Sequence, residues 1–185
     1  MSTQILDPSG HSASAGTSDR TLAIRKDELT GLRVGLLNNG KRNAELLLDQ
    51  IAEVLVRDYG VADVVRAQKT VFSMPIPEDM ARELAATTDV VITGVGDCGS
   101  CSASAVADGI ILEGAGVPAA VICSDAYRVT ANAMATLKGV PDYRYATTAH
   151  PVAILDEDGV RARVPDILTQ ILPLLTGTRT TAGAA

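Results

Sequence analysis

Asp89-Val90-Val91-Ile92-Thr93-Gly94-Val95 runs straight into Gly96-Asp97-Cys98-Gly99-Ser100-Cys101, and this junction decides the fold. The first seven residues are largely aliphatic, the pattern of a strand buried on both faces. The strand breaks at Gly96, and Ser102 to Gly114 reads as the next helix. The same succession recurs on either side. Upstream, Arg33 to Asn38 is a short aliphatic strand, Asn39-Gly40-Lys41 a turn, and Asn43 a helix N-cap. Leu46, Leu47, Ile51, Val54 and Leu55 follow at helical spacing until Tyr59-Gly60. Ala62 to Ala67 is a second strand, and Pro77 to Thr87 a helix with Glu78 and Asp79 in its first turn. Downstream, Gly116-Val117-Pro118 turns into the strand Ala119 to Cys123. Tyr127 to Lys138 is then helical, Tyr143 to Thr148 a fifth strand, and Val164 to Leu175 an apolar last helix. This alternation implies an α/β fold, a single doubly wound (Rossmann- or flavodoxin-like) parallel sheet of about five strands.

Composition agrees with that architecture. The 185 residues leave room for one domain with a full core. The chain is 46% hydrophobic yet has no Trp, one Phe and four Tyr, so its core is Val, Ile, Leu and Ala. Such a core suits a parallel sheet between helices. A net charge of −6 and a pI near 4.8 argue against a nucleic-acid partner. The sixteen Lys and Arg are scattered, which argues against an anionic membrane surface. No stretch approaches the ~20 apolar residues of a spanning helix. The first twenty residues lack the basic start and apolar core of a secretory signal, so the cytoplasm is the expected compartment. Residues 1–28 are expected to form a flexible arm, 29–175 the α/β domain, and 176–185 a disordered tail. Within the arm, Ile5-Leu6-Asp7-Pro8 is an apolar hook suited to docking on the body or a partner.

Three cysteines are an odd count, unlike a secreted disulfide framework, and two of them form C-x-x-C. Zinc wants about four ligands, and only two His are available, one of them His11 in the arm, so no metal is expected. Ligands of a doubly wound sheet bind outside the carboxyl ends of its strands. Asn38 to Lys41, Asp97 to Cys101, Ser124-Asp125 and Ala149-His150-Pro151 all fall at such ends.

Cys98 is the expected nucleophile, since backbone N–H groups at a helix start lower a thiol's pKa. Cys101 stands one turn later, able to resolve a mixed disulfide or a sulfenate. Gly96 and Gly99 leave room for a sharp turn and a close ligand, with Ser100 beside them. Asp97 either handles a substrate amine or proton, or bonds to the turn, because a carboxylate opposes a neighbouring thiolate. His150 is either the general acid–base or a loop element. Lys41 either brings positive charge to the pocket or is solvated. Asn38 and Asn39 either bind ligand or build an Asx turn. Ser124 and Asp125 line the pocket or cap a helix, and Cys123 is a buried structural thiol. Gly94-Val95-Gly96 is too short for a dinucleotide fingerprint, and no cofactor is expected.

Gly96-Asp97-Cys98-Gly99-Ser100-Cys101 resembles the signature of the UGSC family of (seleno)proteins. The likeness extends to Ile5-Leu6-Asp7-Pro8, Val34 to Lys41, Gly116-Val117-Pro118 and His150-Pro151. The resemblance implies a first motif position held by selenocysteine or cysteine, hence a redox-active or nucleophilic residue at Cys98. The segment is more distantly similar to the selenoprotein B component of glycine, sarcosine and betaine reductases, whose selenol takes part in reductive C–N cleavage. By that likeness Cys98 matches the selenocysteine and Cys101 the later cysteine. That component is much longer, which implies a partner subunit. Asp/Glu racemase-like enzymes are a fainter likeness, but they need a second, opposed cysteine, and Asn38 to Lys41 contains none.

Three functions follow as expectations. The first is a thiol-based oxidoreductase acting on a small molecule, in which Cys98 attacks and Cys101 resolves while Asp97, Lys41 and His150 handle charge and protons. The second is a non-redox lyase, hydrolase or isomerase using Cys98 with His150. The third is a non-catalytic subunit of a larger complex. Expected partners are a small-molecule substrate and either a larger subunit or a second copy of the chain.

Overall fold

Every residue of the strand Val90–Gly96 is buried, and this strand holds the centre of the molecule. The computed structural model describes residues 22–177. Along the chain run β1 (Arg33–Asn38), α1 (Ala44–Tyr59), β2 (Asp63–Gln68), α2 (Glu78–Thr87), β3 (Val90–Gly96) and α3 (Gly99–Gly114). Then come β4 (Ala119–Ser124), α4 (Arg128–Leu137), β5 (Ala146–Thr148), α5 (Glu157–Arg161) and α6 (Val164–Thr176). The five strands are parallel, in the order β2-β1-β3-β4-β5. This is the doubly wound, Rossmann/flavodoxin-like arrangement.

Side chains alternate across the sheet as the strand period requires. Val34, Leu36, Val90, Ile92 and Ile122 pack on one side with α1 and α6. Leu37 and Val91 pack on the other with α2, and Val121 and Cys123 with α3 and α4. Each fully buried Leu, Ile or Val contributes roughly 1.5–3 kcal/mol. The core is therefore aliphatic on both faces. The winding reverses between β1 and β3, which lie side by side with Val34 opposite Val90 and Asn38 opposite Gly94. Such a reversal opens a crevice at the carboxyl ends of the two strands.

The structure corrects several expected boundaries. Helix α3 starts at Gly99 rather than Ser102, because Cys98 itself caps it. Strand β5 keeps only Ala146–Thr148. Tyr143 turns inward instead, its hydroxyl donating to the Ala119 carbonyl at 3.4 Å. Gly109 makes room for that ring, since a Cβ there would collide with the Tyr143 hydroxyl. Asn43 stands at the N-cap of α1 but with φ 66 and no capping bond. Its Nδ2 donates to the carbonyls of Val152 and Leu155 instead, both at 2.9 Å. Helix α5 was not expected, since five residues are too few to show a period; Asp156 caps it by accepting from Gly159 N–H.

Part of the expected flexible arm is tied to the body. Ala23 N–H and the Arg25 guanidinium donate to the buried Glu113 carboxylate, and Lys26 N–H donates to Leu175 O. The hook Ile5 to Pro8, His11 and residues 178–185 lie outside the described residues. Among the described residues no helix is long and apolar enough to cross a membrane.

Candidate active site

Cys98 closes the turn between β3 and α3. Its sulfur accepts the Cys101 N–H at 3.3 Å, taking the place of the hydroxyl or carboxylate that usually caps a helix. Ser102 N–H donates to the Cys98 carbonyl, which starts the helical ladder. Ser100 is exposed, its Oγ 3.6 Å from the Cys98 sulfur. The Cys98 and Cys101 sulfurs lie at bonding distance, with their Cα atoms 5.2 Å apart, inside the range a disulfide spans. The two differ in access. Cys98 is half-buried and Cys101 is 0% exposed, so a reactant from solvent meets Cys98 first. When the pair is reduced, the N–H groups of the first turn of α3 favour a thiolate at Cys98.

Gly96 and Gly99 serve different ends. A Cβ on Gly96 would lie within 3.0 Å of Ser102 and of the Cys123 sulfur, so its bare backbone lets α3 and β4 close on β3. The Gly96 carbonyl accepts from both Ser102 Oγ and Ser124 Oγ. A Cβ on Gly99 would touch only the Thr130 methyl, at an ordinary 3.7 Å. Space is therefore left beside Cys98.

The Asp97 carboxylate is engaged by the segment that follows β5. Its side chain is only 6% exposed, and its carboxylate accepts from Val152 N–H, Ala153 N–H and His150 Nδ1 at 2.9–3.0 Å. The backbone it holds is not that of its own turn, as one expectation had it, but the loop beyond β5, 55 and 56 residues further along the chain. An acceptor-only carboxylate opposite Nδ1 places the proton there and leaves Nε2 as the acceptor. Ser124 Oγ lies 3.3 Å from the same Nδ1, and Asp125 accepts the His150 backbone N–H at 3.0 Å. The Tyr127 ring meets the imidazole edge-on at 5.2 Å. The carboxyl ends of β3, β4 and β5 thus converge on His150.

Asn38, Asn39 and Lys41, at the end of β1, are largely committed elsewhere. Asn38 Oδ1 accepts from Gly40 N–H, an Asx turn, with Gly40 at φ +75. Asn39 is 2% exposed; its Nδ2 donates to Val95 O and its Oδ1 accepts from Lys41 N–H. It braces β1 to β3 beneath the Cys98 turn. The Lys41 ammonium sits 4.4 Å above the Phe72 ring. Asn38, Lys41, Arg42, Glu45 and Gln68 line a cleft of about 490 Å³ at this edge.

Cys123 is fully buried, and that burial pushes its thiol up to about 12, so it stays protonated. Asp125, Val152 and Ala153, which orient the His150 segment, were not singled out as its supports in the sequence. Their only signal was position after β4 and β5.

A doubly wound sheet with a C-x-x-C at the strand-to-helix junction beside its topological reversal defines a class of α/β protein with a paired-cysteine site. The model of the UGSC family matches residues 4–177, nearly the whole chain, and the protein belongs to that family. No curated protein matches the chain. The likeness to selenoprotein B therefore gains no support beyond the motif.

Proposed function

We propose that this protein is a cysteine-dependent redox enzyme acting on a small molecule, by thiol–disulfide exchange or reductive cleavage. Cys98 attacks the electrophilic sulfur or carbon and displaces its leaving group; Cys101 then attacks the Cys98 sulfur, the Cys98–Cys101 bond forms and the bond to the substrate breaks, so that the substrate departs as a thiolate or, from carbon, as a carbanion that takes up a proton. One observation carries the reading: an accessible sulfur capping a helix, with a fully buried second sulfur at bonding distance. The accessible sulfur meets the substrate, while the sheltered one is reserved for resolution. A reducing compartment such as the cytoplasm suits a pair that must return to the dithiol.

The Asp97–His150 contact favours a second reading, a non-redox reaction in which Cys98 works with His150 as acid–base and Cys101 is a bystander. One measurement tests the activated Cys98 that both readings need, and a second separates the two. Brief iodoacetamide treatment at pH 7 with mass mapping should label Cys98 at least about 1000-fold faster than Cys123, given the thiolate fractions their environments allow. Equal labelling would remove Cys98 as the activated thiol. Cys101→Ser should then stop turnover of a disulfide substrate after one mixed-disulfide adduct; continued turnover would favour the second reading.

A further inference from the structure

The proposed chemistry leaves one polar side chain at the Cys98 turn without a task. Ser100, in the first turn of α3, is exposed, and its Oγ lies 3.6 Å from the Cys98 sulfur. The neighbouring hydroxyls are spent on the fold: Ser102 and Ser124 donate to the Gly96 carbonyl, and Ser104 accepts from the Lys69 ammonium. A thiolate sulfur carries no proton, so against it the Ser100 hydroxyl can only donate. The same sulfur accepts the Cys101 N–H at 3.3 Å. Among the described residues no donor is directed at the Cys101 sulfur, which is fully buried. The other titratable groups around the turn are engaged elsewhere. Asp97 is held by His150, Val152 N–H and Ala153 N–H, and Asp125 by the His150 N–H. From β4, Cys123 stays protonated. From α4 the turn meets the Thr130 methyl, and on the β1 side stand Asn39, bonded to Val95 O, and Lys41, over the Phe72 ring.

We infer that Ser100 is a further catalytic residue of this site: its hydroxyl donates to the Cys98 sulfur and, with the Cys101 N–H, settles the negative charge of the reduced pair on Cys98 rather than on Cys101. The inference rests on the activated Cys98 of the proposed function and serves both of its readings. Two sulfurs this close carry one negative charge between them, since a second thiolate beside the first is disfavoured. The donors decide where that charge sits. Cys98 has two of them and faces solvent on one side. Cys101 lies where water does not reach, and an anion there bears the full cost of desolvation. The sulfur that solvent reaches is therefore the ionised one, and the sheltered one keeps its proton until an adduct has formed. Ser100 forms no covalent bond and retains its own proton throughout. Its hydrogen bond also weakens the sulfur as a nucleophile, because nucleophilicity falls as the thiolate is stabilised. Ser100 thus makes the anion more abundant near neutrality and each anion somewhat less reactive.

The reduced full-length protein is alkylated with iodoacetamide from about pH 5 to pH 10, and the rate at Cys98 is read by mass mapping. Ser100→Ala should raise the midpoint of that rate profile by about half a unit to one unit, the worth of one hydrogen bond. For a shift of one unit, alkylation should be about threefold slower than wild type below both midpoints and about threefold faster above both, so that the two profiles cross. Ser100→Thr keeps the hydroxyl and should follow the wild-type profile. A loosened helix start without such a bond would move the rates in one direction at every pH and leave the midpoint in place. That outcome would overturn the inference, and so would superimposed profiles for wild type and Ser100→Ala. A wild-type midpoint at the ~8.5 of a free thiol would instead overturn the activated Cys98 itself, and the inference with it. A lowered wild-type midpoint that Ser100→Ala shares would leave the activation standing and remove Ser100 alone.

Discussion

Two strand-to-helix turns stand side by side at the carboxyl edge of the sheet, after β1 and after β3, and they use their polar atoms in opposite ways. After β1 the side chains of Asn38, Asn39 and Asn43 all hold backbone groups of this chain. After β3 the Cys98 sulfur accepts a single N–H, stays half-buried, and lies within bonding distance of Cys101. The same local geometry thus yields a brace in one place and, on the proposed function, a reactive group in the other. What separates them is spare bonding capacity, not position in the fold.

The largest effect should come from swapping the reactive group. Cys98→Ser should cut thiol–disulfide exchange by more than about 1000-fold, since a serine hydroxyl at neutral pH has no comparable anionic form. Lys41→Ala, at the other turn, should change the same rate by less than about threefold. A loss at Lys41 that rivals Cys98 would break the contrast between the turns.

Asn39→Ala should act on stability. It deprives the Val95 carbonyl of a buried donor, and a loss of about 1–3 kcal/mol is expected from urea unfolding. The exchange chemistry of the folded fraction should be retained. A variant as stable as wild type but slow in exchange would move Asn39 from brace to site.

An effect of similar size, spread over pH, concerns the buried pair in which the Lys69 ammonium donates to the Asp108 carboxylate. The Asp108 carboxyl is raised in the folded state, so between the unfolded value and about 6 the folded protein binds the extra proton. Stability from this group is therefore full at low pH and is lost as pH rises through about 6, by roughly 2–3 kcal/mol. The difference between wild-type and Asp108→Asn unfolding curves should show that loss over pH 4 to 7. Asp89, held down by its bonds to Arg33, gives the opposite slope at lower pH, and the difference measurement cancels it. A flat difference would show Asp108 ionised throughout the range.

Much of this was legible in the residues. The aliphatic runs at Arg33 to Asn38, Asp89 to Val95 and Ala119 to Cys123 named their own strands, because a strand buried on both faces admits little else. Cys98 was legible from its place between a strand and a helix. The start of β5 lies at Ala146 rather than at the expected Tyr143, because Tyr143 and Tyr145 suit strands equally well and only the space above Gly109 draws Tyr143 inward. The choices left open at Asp97 and Asn39 turned on partners 53 to 56 residues away, which no local pattern reveals.

Local pattern alone thus determined the α/β alternation, the aliphatic core and the cysteine pair, since hydrophobic period, turn chemistry and spacing act over a few residues. Tertiary structure decided the strand order, the joining of Asp97 to His150 and of Lys69 to Asp108, and the unequal access of the two cysteines. Those depend on which distant surfaces close together and exclude water, and burial of that kind belongs to the assembled fold rather than to any stretch of chain.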